Sequence, residues 1–434
     1  DISMYTQIVP GIKNTAGDDA DEFGTSVAIT DDGGIILVGA PNTQDIVKMT
    51  APNPSPDSTR SFARGQSIIG GDTGATGTVM RYEEGETQDT FFVKVTSGID
   101  FDDSTLNAND SSSVSIIDKI ITDGDRTAQG TVNVITQDTQ KQFAISANLI
   151  SPNLKSGERF GETVGISGDG EWIVVGAPGG PNDSTLADQG QVYVFKRGIS
   201  DSTGLAQYDH WQTLAPNTLS QVGARFGETL QISNDGSVIA VGVKLYDDST
   251  LADQGIVFVW KKSGATYIEV ENLRQDTAQA NTKFGTSIQL SGDGTDLLIG
   301  CPRETVTQPN QGTVYHYINQ TSTHTGDGST TAFVPTFTVE KYTRLYVSTG
   351  TNNWAFDDSS SPLSTTYHVD EATNTVTLSS TPALGDTVII SQYQKAQKIV
   401  SQPAEVEGQF GTTVALSGNN LAVYSANGNN TRIT

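Results

Sequence analysis

The sequence predicts an all-β protein assembled from a repeated sheet, and three observations carry that reading. Five segments share one pattern: FGTSVAITDDGGIILVGAPN from Phe23, FGETVGISGDGEWIVVGAPG from Phe160, FGETLQISNDGSVIAVGVKL from Phe226, FGTSIQLSGDGTDLLIGCPR from Phe284 and FGTTVALSGNNLAVYSANG from Phe410. Thr, Ser, Gly and β-branched residues dominate, while Ala, Leu, Glu and Lys are sparse. The apolar residues, 35% of the chain, fall into short segments.

Each unit reads in the same order. After Phe-Gly comes an alternating strand such as Thr163 to Ser167. A turn follows at Asp169-Gly170, Asp235-Gly236 or Asp293-Gly294, where glycine supplies the positive φ that a tight hairpin needs. A second, more apolar strand comes next, such as Trp172 to Val175 or Leu297 to Ile299. Third strands open on glycine at GTVMRY (77–82), GQVYVF (190–195), GIVFVW (255–260) and GTVYHY (312–317). Fourth strands are QFAISANL (142–149), HWQTLA (210–215), YIEVENL (267–273) and KAQKIV (395–400). Two intervals between Phe-Gly pairs are about sixty residues and two are about twice that, a period that marks a repeat architecture. Four antiparallel strands per unit, stacked in series, describe the blades of a β-propeller, with the Phe packed between blades and the Gly allowing close backbone approach.

These residues resemble the FG-GAP repeat family, the blades of the integrin α-subunit head. Phe23-Gly24 with Gly39-Ala40-Pro41, and Phe160-Gly161 with Gly176-Ala177-Pro178, carry the likeness. Gly242-Val243, Gly300-Cys301-Pro302 and Tyr424-Ser425-Ala426 depart from it. The expected fold is an FG-GAP-type β-propeller with five recognisable blades, in a family whose usual number is seven.

Two β-rich insertions explain the doubled intervals, both expected between third and fourth strands and therefore on one face. The expected parts are 1–85 (Met4 to Val9 as a closing strand, then blade 1), 86–140 (insertion), 141–321 (blades 1 to 4), 322–393 (a small β module) and 394–434 (blades 4 and 5). In the module, Arg344 to Val347, Thr375 to Leu378 and Thr387 to Ser391 alternate with period two. Its GDGSTTAF opening and TVTLSSTPALGDTVIISQY ending resemble modules of phage tail and fibre proteins.

The balance of 25 basic against 50 acidic residues leaves a formal charge of −25. That field repels phosphate, so nucleic acid is not an expected partner. No run approaches the roughly 18 apolar residues of a spanning helix, so membrane insertion is not expected. The single cysteine, Cys301, excludes an internal disulfide and reads as a small buried strand residue.

The candidate ligand-binding residues lie in three loops. Asp183-Ser-Thr-Leu-Ala-Asp188-Gln189-Gly recurs as Asp248-Ser-Thr-Leu-Ala-Asp253-Gln254-Gly, in equivalent second-to-third-strand loops. Their carboxylate and amide oxygens suit a cation or sugar hydroxyl; the plainer reading is a capped turn. Trp354 and Phe356 lie beside Asp357 and Asp358 in a loop of the module, a sugar-binding composition whose plainer reading is a hydrophobic plug. Resemblance to integrin blades implies calcium loops, but the first hairpin turns offer too few of the six to eight oxygens calcium takes, so neither metal nor cofactor is expected. The four histidines lack metal-ligand spacing, no nucleophile or phosphate-loop motif occurs, and no enzyme is expected.

The expected function is that of a structural or adhesion protein of a virus particle, a bacteriophage, located on the virion surface. It would attach to a host-surface glycan or protein, or decorate the particle, as part of an oligomeric assembly with other virion or surface proteins. The alternative is a bacterial or eukaryotic cell-surface adhesin.

Overall fold

The computed structural model describes residues 21–52, 65–70, 74–83, 88–97, 105–108, 113–115, 118–120, 127–137, 143–180, 186–198, 207–216, 219–248, 250–339, 345–349, 352–356, 366–401, 404, 406–417, 420–426 and 432–433. Contacts divide the chain into two compact units, Asp1–Thr213 and Leu214–Thr434. The expected closing strand at Met4 to Val9 lies outside the described residues.

In the first unit, β1 (Val27–Ile29) and β2 (Ile35–Ala40) form the hairpin that follows Phe23-Gly24. An insertion then supplies β3 (Ile46–Pro52), β4 (Ser67–Gly70), β5 (Thr76–Glu83), β6 (Gln88–Ser97), β7 (Thr105–Ala108), β8 (Ser113–Ser115) and β9 (Asp118–Ile120). These seven strands make their own sheet in the order β8-β7-β4-β5-β6-β3-β9. Only then do β10 (Thr131–Gln137) and β11 (Phe143–Ile150) complete blade 1 as β1-β2-β10-β11. Blade 2 is the meander β12 (Thr163–Ile166), β13 (Trp172–Ala177), β14 (Gln191–Arg197) and β15 (Tyr208–Leu214).

In the second unit, blade 3 is β16 (Thr229–Ile232), β17 (Val238–Val243), β18 (Ile256–Ser263) and β19 (Thr266–Leu273). Blade 4 is β20 (Ser287–Leu290), β21 (Asp296–Cys301) and the near ends of two long strands, β22 (Thr313–Thr325) and β28 (Thr387–Val400). Between them the module adds β23 (Ala332–Phe333), β24 (Tyr346–Thr349), β25 (Asn352–Phe356), β26 (Thr366–Asp370) and β27 (Thr375–Leu378), so that blade and module share one nine-stranded sheet. A final sheet has β29 (Phe410–Ser417), β30 (Asn420–Ser425) and β31 (Arg432–Ile433).

The first insertion is a correction to the sequence reading. GTVMRY is not the third strand of blade 1; it lies in β5 of the inserted sheet. The third strand is β10, inside the segment 86–140 expected as the insertion. The physical reason is that two Gly-Thr-Val segments compete, and only Gly130 meets the next blade. A Cβ there would collide with the Phe160 backbone, just as one at Gly255 would collide with Phe284 and one at Gly312 with Phe410. The first insertion therefore sits between second and third strands and the second between third and fourth, as expected for it. These connections lie at opposite ends of a four-stranded meander, so the two insertions do not share a blade face.

One packing rule repeats. The face of a blade that carries its Phe-Gly turn, here the leading face, packs on the trailing face of the blade before it. Ile35, Leu37, Val132, Val134, Ala147 and Leu149 of blade 1 form one core with Phe160, Val164, Ile166, Ile173, Tyr193 and Phe195 of blade 2. Val238, Val257 and Val259 of blade 3 pack likewise against Phe284, Ile288, Leu290 and Tyr315 of blade 4. Leu298 and Val314 of blade 4 meet Phe410, Val414 and Val423 of the last sheet. Phe160 meets Phe195 edge-on at 5.9 Å between centroids, and burying such a ring contributes roughly 1.5–3 kcal/mol.

Candidate functional site

The second-to-third-strand loops, which hold most of the predicted site residues, are built on a fixed frame. The glycine that opens the third strand donates its N–H back to the start of the loop. Gly130 bonds the carbonyl of Thr43 at 3.0 Å, Gly255 that of Tyr246 at 3.0 Å, Gly312 that of Glu304 at 3.0 Å, and Gly190 that of Gly180. The residue two before each glycine is left-handed: Ala128, Asp188, Asp253 and Asn310 have φ between 48° and 53°. The intervening glutamine offers its carbonyl to the Phe of the next Phe-Gly, with Phe160 N to Gln129 O at 3.2 Å, Phe284 N to Gln254 O at 3.1 Å and Phe410 N to Gln311 O at 3.0 Å. At Gln129, Gln254 and Gln311 the Gln-Gly pair is thus part of the seam between blades, a structural role for the second of the two Asp-Gln-Gly copies.

The individual residues follow from this frame. Asp183 lies outside the described residues. Asp188 is exposed, and Gln189 donates its N–H to Leu186 O at 3.2 Å. Asp248 pairs with Arg274, whose guanidinium also lies 5.3 Å from the Tyr246 ring centroid. Asp253 takes up a bond from its own N–H to the Asp247 carboxylate (2.8 Å) and lies 4.0 Å from Lys283 Nζ. Gln254 is 3% exposed, and its Oε1 has no hydrogen-bond partner. Among the described residues, no group of three or more His, Cys, Asp or Glu side chains converges as a metal-binding set would.

The first-hairpin aspartates cap their own turns. Asp32, Asp169, Asp235 and Asp293 each accept from a Ser or Thr hydroxyl two residues earlier (2.6–2.7 Å) and from a backbone N–H two residues later (2.8–3.0 Å). Hydrogen bonds from Thr30 and Gly34 hold the Asp32 carboxyl below the usual range, as those from Thr295 and Ser291 do for Asp293.

Among the described residues, two buried carboxylates that the sequence reading passed over meet a third-strand tyrosine. Glu158, just before Phe160, accepts from Tyr193 OH of β14. Burial pushes its carboxyl up, and burial also pushes the Tyr193 phenol up. In blade 4 the equivalent Tyr315 donates to Glu304 at 3.0 Å, which also accepts from Thr313 Oγ1 (2.5 Å) and Lys398 Nζ (2.6 Å). Glu304 comes from the second-to-third-strand loop, so the two blades bring a carboxylate to one spot from different directions. In blade 3 the third-strand residue is Phe258, and Ala224 stands where blade 2 has Glu158. The legible signal was Tyr against Phe at that strand position. Cys301, as expected, is a buried strand residue, and burial pushes its thiol up.

In the module, Trp354 lies in β25 opposite Val347, and Phe356 pairs with Tyr367 of β26 in parallel register. The segment expected as a loop is therefore partly strand. The module has a core of its own, including Phe333, Phe337, Val347, Tyr367, Val376, Val388 and Ile390. Where it joins the blades, Lys261 of β18 is buried and donates to Asn319 Oδ1 (2.9 Å) and Ser391 Oγ (2.7 Å), between the rings of Tyr346 and Tyr393. Burial lowers its pKa to about 8, opposed by Glu271.

Residues 145–195 match the model of the FG-GAP repeat family, a span from β11 into β14 that includes Phe160-Gly161. Comparison with curated proteins gives no match. Among solved structures, the chain resembles the periplasmic gluconolactonase PpgL of Pseudomonas aeruginosa, with 12% identity, 94% of this chain and 80% of that one covered, and a TM-score of 0.36. It also resembles Sqt1 of Saccharomyces cerevisiae, with 9% identity, 95% and 82% covered, and a TM-score of 0.31. A third likeness is Sqt1 of Chaetomium thermophilum bound to the N-terminus of ribosomal protein L10, with 13% identity, 70% and 73% covered, and a TM-score of 0.28. With the repeated meanders and their Phe-Gly seams, the family match identifies an all-β protein of several four-stranded antiparallel sheets, in keeping with a β-propeller that carries FG-GAP repeats.

Proposed function

We propose that this chain is a non-enzymatic structural or adhesion protein of a virus particle, a bacteriophage, in which blades and insertions display loops for attachment to a host-surface glycan or protein, or for decorating the particle. The observation that carries the reading is the continuity of β22 and β28, strands of 13 and 14 residues that belong to blade 4 at one end and to the module at the other. A module held this way presents its turns rigidly. Those turns are themselves locked, with Asp327 accepting from the N–H of Ser329 (2.8 Å) and Thr330 (2.6 Å), and Asp370 from that of Ala372 (3.0 Å). Rigid display suits weak contacts multiplied by copy number, since avidity then supplies the strength. The charge of −25 limits nonspecific adhesion to anionic surfaces. The likeness of the module's ends to phage tail and fibre modules gives this reading its viral setting.

Immunogold electron microscopy of the native source material tests it. Labelled virus particles are expected, with tail labelling favouring attachment and capsid labelling favouring decoration. Labelling confined to cell envelopes would replace this reading with the cell-surface adhesin.

A further inference from the structure

Lys94, Lys244, Lys395 and Lys398 each pair with a carboxylate, that of Asp21, Glu228, Asp276 and Glu304. Lys261 of β18 does otherwise. Its Nζ donates to the carboxamide oxygen of Asn319 in β22 (2.9 Å) and to Ser391 Oγ in β28 (2.7 Å). The side chain is buried, and the ring centroids of Tyr346 and Tyr393 lie 5.3 and 5.4 Å from Nζ. All of these Lys261 partners belong to the second unit.

The surrounding strands hold this contact in place. Asn319 pairs with Tyr393 across β22 and β28, and its N–H donates to Thr295 O at 2.8 Å. Ser391 is buried two residues along β28. Glu271 of β19, the strand beside β18, is fully buried. Its Oε1 accepts the N–H of Tyr393 (2.7 Å), the residue whose ring flanks Lys261. An amine, a carboxamide and a buried carboxylate thus come together behind two aromatic rings.

That grouping has a chemistry. Burying an ammonium costs free energy that a neutral amine avoids, so burial favours the form of Lys261 that has a lone pair, while the Glu271 charge opposes it. A desolvated lysine amine is a nucleophile. Its electrophile is already beside it. A carbonyl oxygen held at 2.9 Å places its own carbon no more than about 4 Å from Nζ, near the roughly 3–3.5 Å of a reacting pair. Groups fixed in this way react as if at very high concentration.

We propose that Lys261 and Asn319 form an internal cross-linking site, joined after folding by an amide bond between Nζ and Cγ, with Glu271 as the proton carrier. Glu271 takes one proton from the Lys261 ammonium, and the lone pair this frees attacks Asn319 Cγ. Glu271 passes that proton to the departing Nδ2 and takes a second from Nζ. The Cγ–Nδ2 bond breaks, ammonia leaves, and Glu271 returns its proton to water. Nothing is oxidised or reduced, and no co-reactant is needed. The step is slow, because Nζ rests on Oδ1 and must shift to Cγ, so Lys261 in freshly purified chain still titrates as an amine. The product ties blade 3 to the long strand β22 that runs into the module. The inference goes beyond the proposed function and does not rest on it.

Mass spectrometry of the full-length chain tests it, after prolonged incubation of the folded protein near neutral pH. The denatured wild type is expected to be lighter than its sequence by one ammonia, and its digest to contain a branched peptide joining Lys261 to Asn319. Lys261→Met and Asn319→Ala are expected to yield no such peptide. Glu271→Gln, shown to be folded by its melting transition, is expected to form the bond about a hundredfold more slowly or less. The branched peptide is read in the wild type, so the bond itself is tested without any variant. The proposal is overturned if folded wild type keeps its full mass, if the ammonia loss maps to a different asparagine, or if Glu271→Gln forms the bond as fast as the wild type does.

Discussion

The first insertion leaves blade 1 between β2 and β10, at the point where Gly130 N–H bonds Thr43 O and pins the two ends together. In the other blades the same bond closes a short loop. The insertion rests on the blade through Ile46, Met80 and Phe92 against Ile150 and Leu154, and Gln129 grips both backbone groups of Ile46 at 2.8 and 3.1 Å. Its core, around Val47, Met49, Ile68, Val79, Phe91 and Val93, is separate. The second insertion has no such pinned neck; β22 and β28 pass from blade into module with one irregularity at His316/Tyr317. A repeat can therefore host a domain by holding loop ends together, where added length costs little closure entropy, or by lengthening a hairpin. The first way leaves blade and guest with separate cores joined by one small apolar contact. The second makes blade and guest one mechanical piece.

The largest expected effect comes from cutting the second joint. Tyr393 is fully buried, bonds Gly294 O through its hydroxyl and Glu271 Oε1 through its N–H (2.7 Å), and belongs to the core shared by blades 3 and 4. Tyr393→Ala should cost about 3–5 kcal/mol in urea unfolding, with hydrogen exchange rising in both blade 4 and module. A change confined to one of them would break the contrast between the insertions.

Lys261 sharpens it through pH. Its pKa, about 8 in the fold against the ordinary lysine value of 10.5, means that the unfolded chain binds more protons between those values. Stability should therefore rise with pH across that window, by about 3 kcal/mol in total, and stay flat below it on this account. Lys261→Met should remove that slope relative to wild type; an unchanged difference curve from pH 8 to 10.5 would place the ammonium in water.

Met80 tests the first joint. Met80→Ala should cost about 2 kcal/mol and raise exchange in β5 and β6 while leaving β10 and β11 protected. The smallest effect belongs to Arg81, which pairs with Glu83 (2.7 Å) and donates to Tyr208 O (3.2 Å). Arg81→Met should cost about 1.5 kcal/mol, the net worth of a part-buried charged hydrogen bond, read as a shift in urea midpoint.

Much of this was legible in the residues. Alternation and Phe-Gly spacing located the strands of blades 2 to 4 and the last sheet, because a half-buried hairpin between two packed faces admits few other patterns. Blade 1 misled because Gly77-Thr78-Val79 imitates Gly130-Thr131-Val132. Gln-Gly opens the third strand at 129, 189, 254 and 311, and Ala75-Thr76 before Gly77 breaks that rule. The Glu158–Tyr193 and Glu304–Tyr315 contacts were hidden for another reason. The carboxylate arrives before the Phe-Gly in one blade and after the second strand in the other, so no fixed spacing records the meeting.

Hydrogen exchange followed by mass spectrometry on the full chain tests most directly whether the module is a rigid extension of blade 4. The account predicts that residues 313–325 and 387–400 gain deuterium as one cooperative unit along their whole length, while β3 to β6 open independently of β10 and β11. Rapid, separate exchange of 319–325 and 387–393 beside a protected blade would show a hinge at the joint and contradict it.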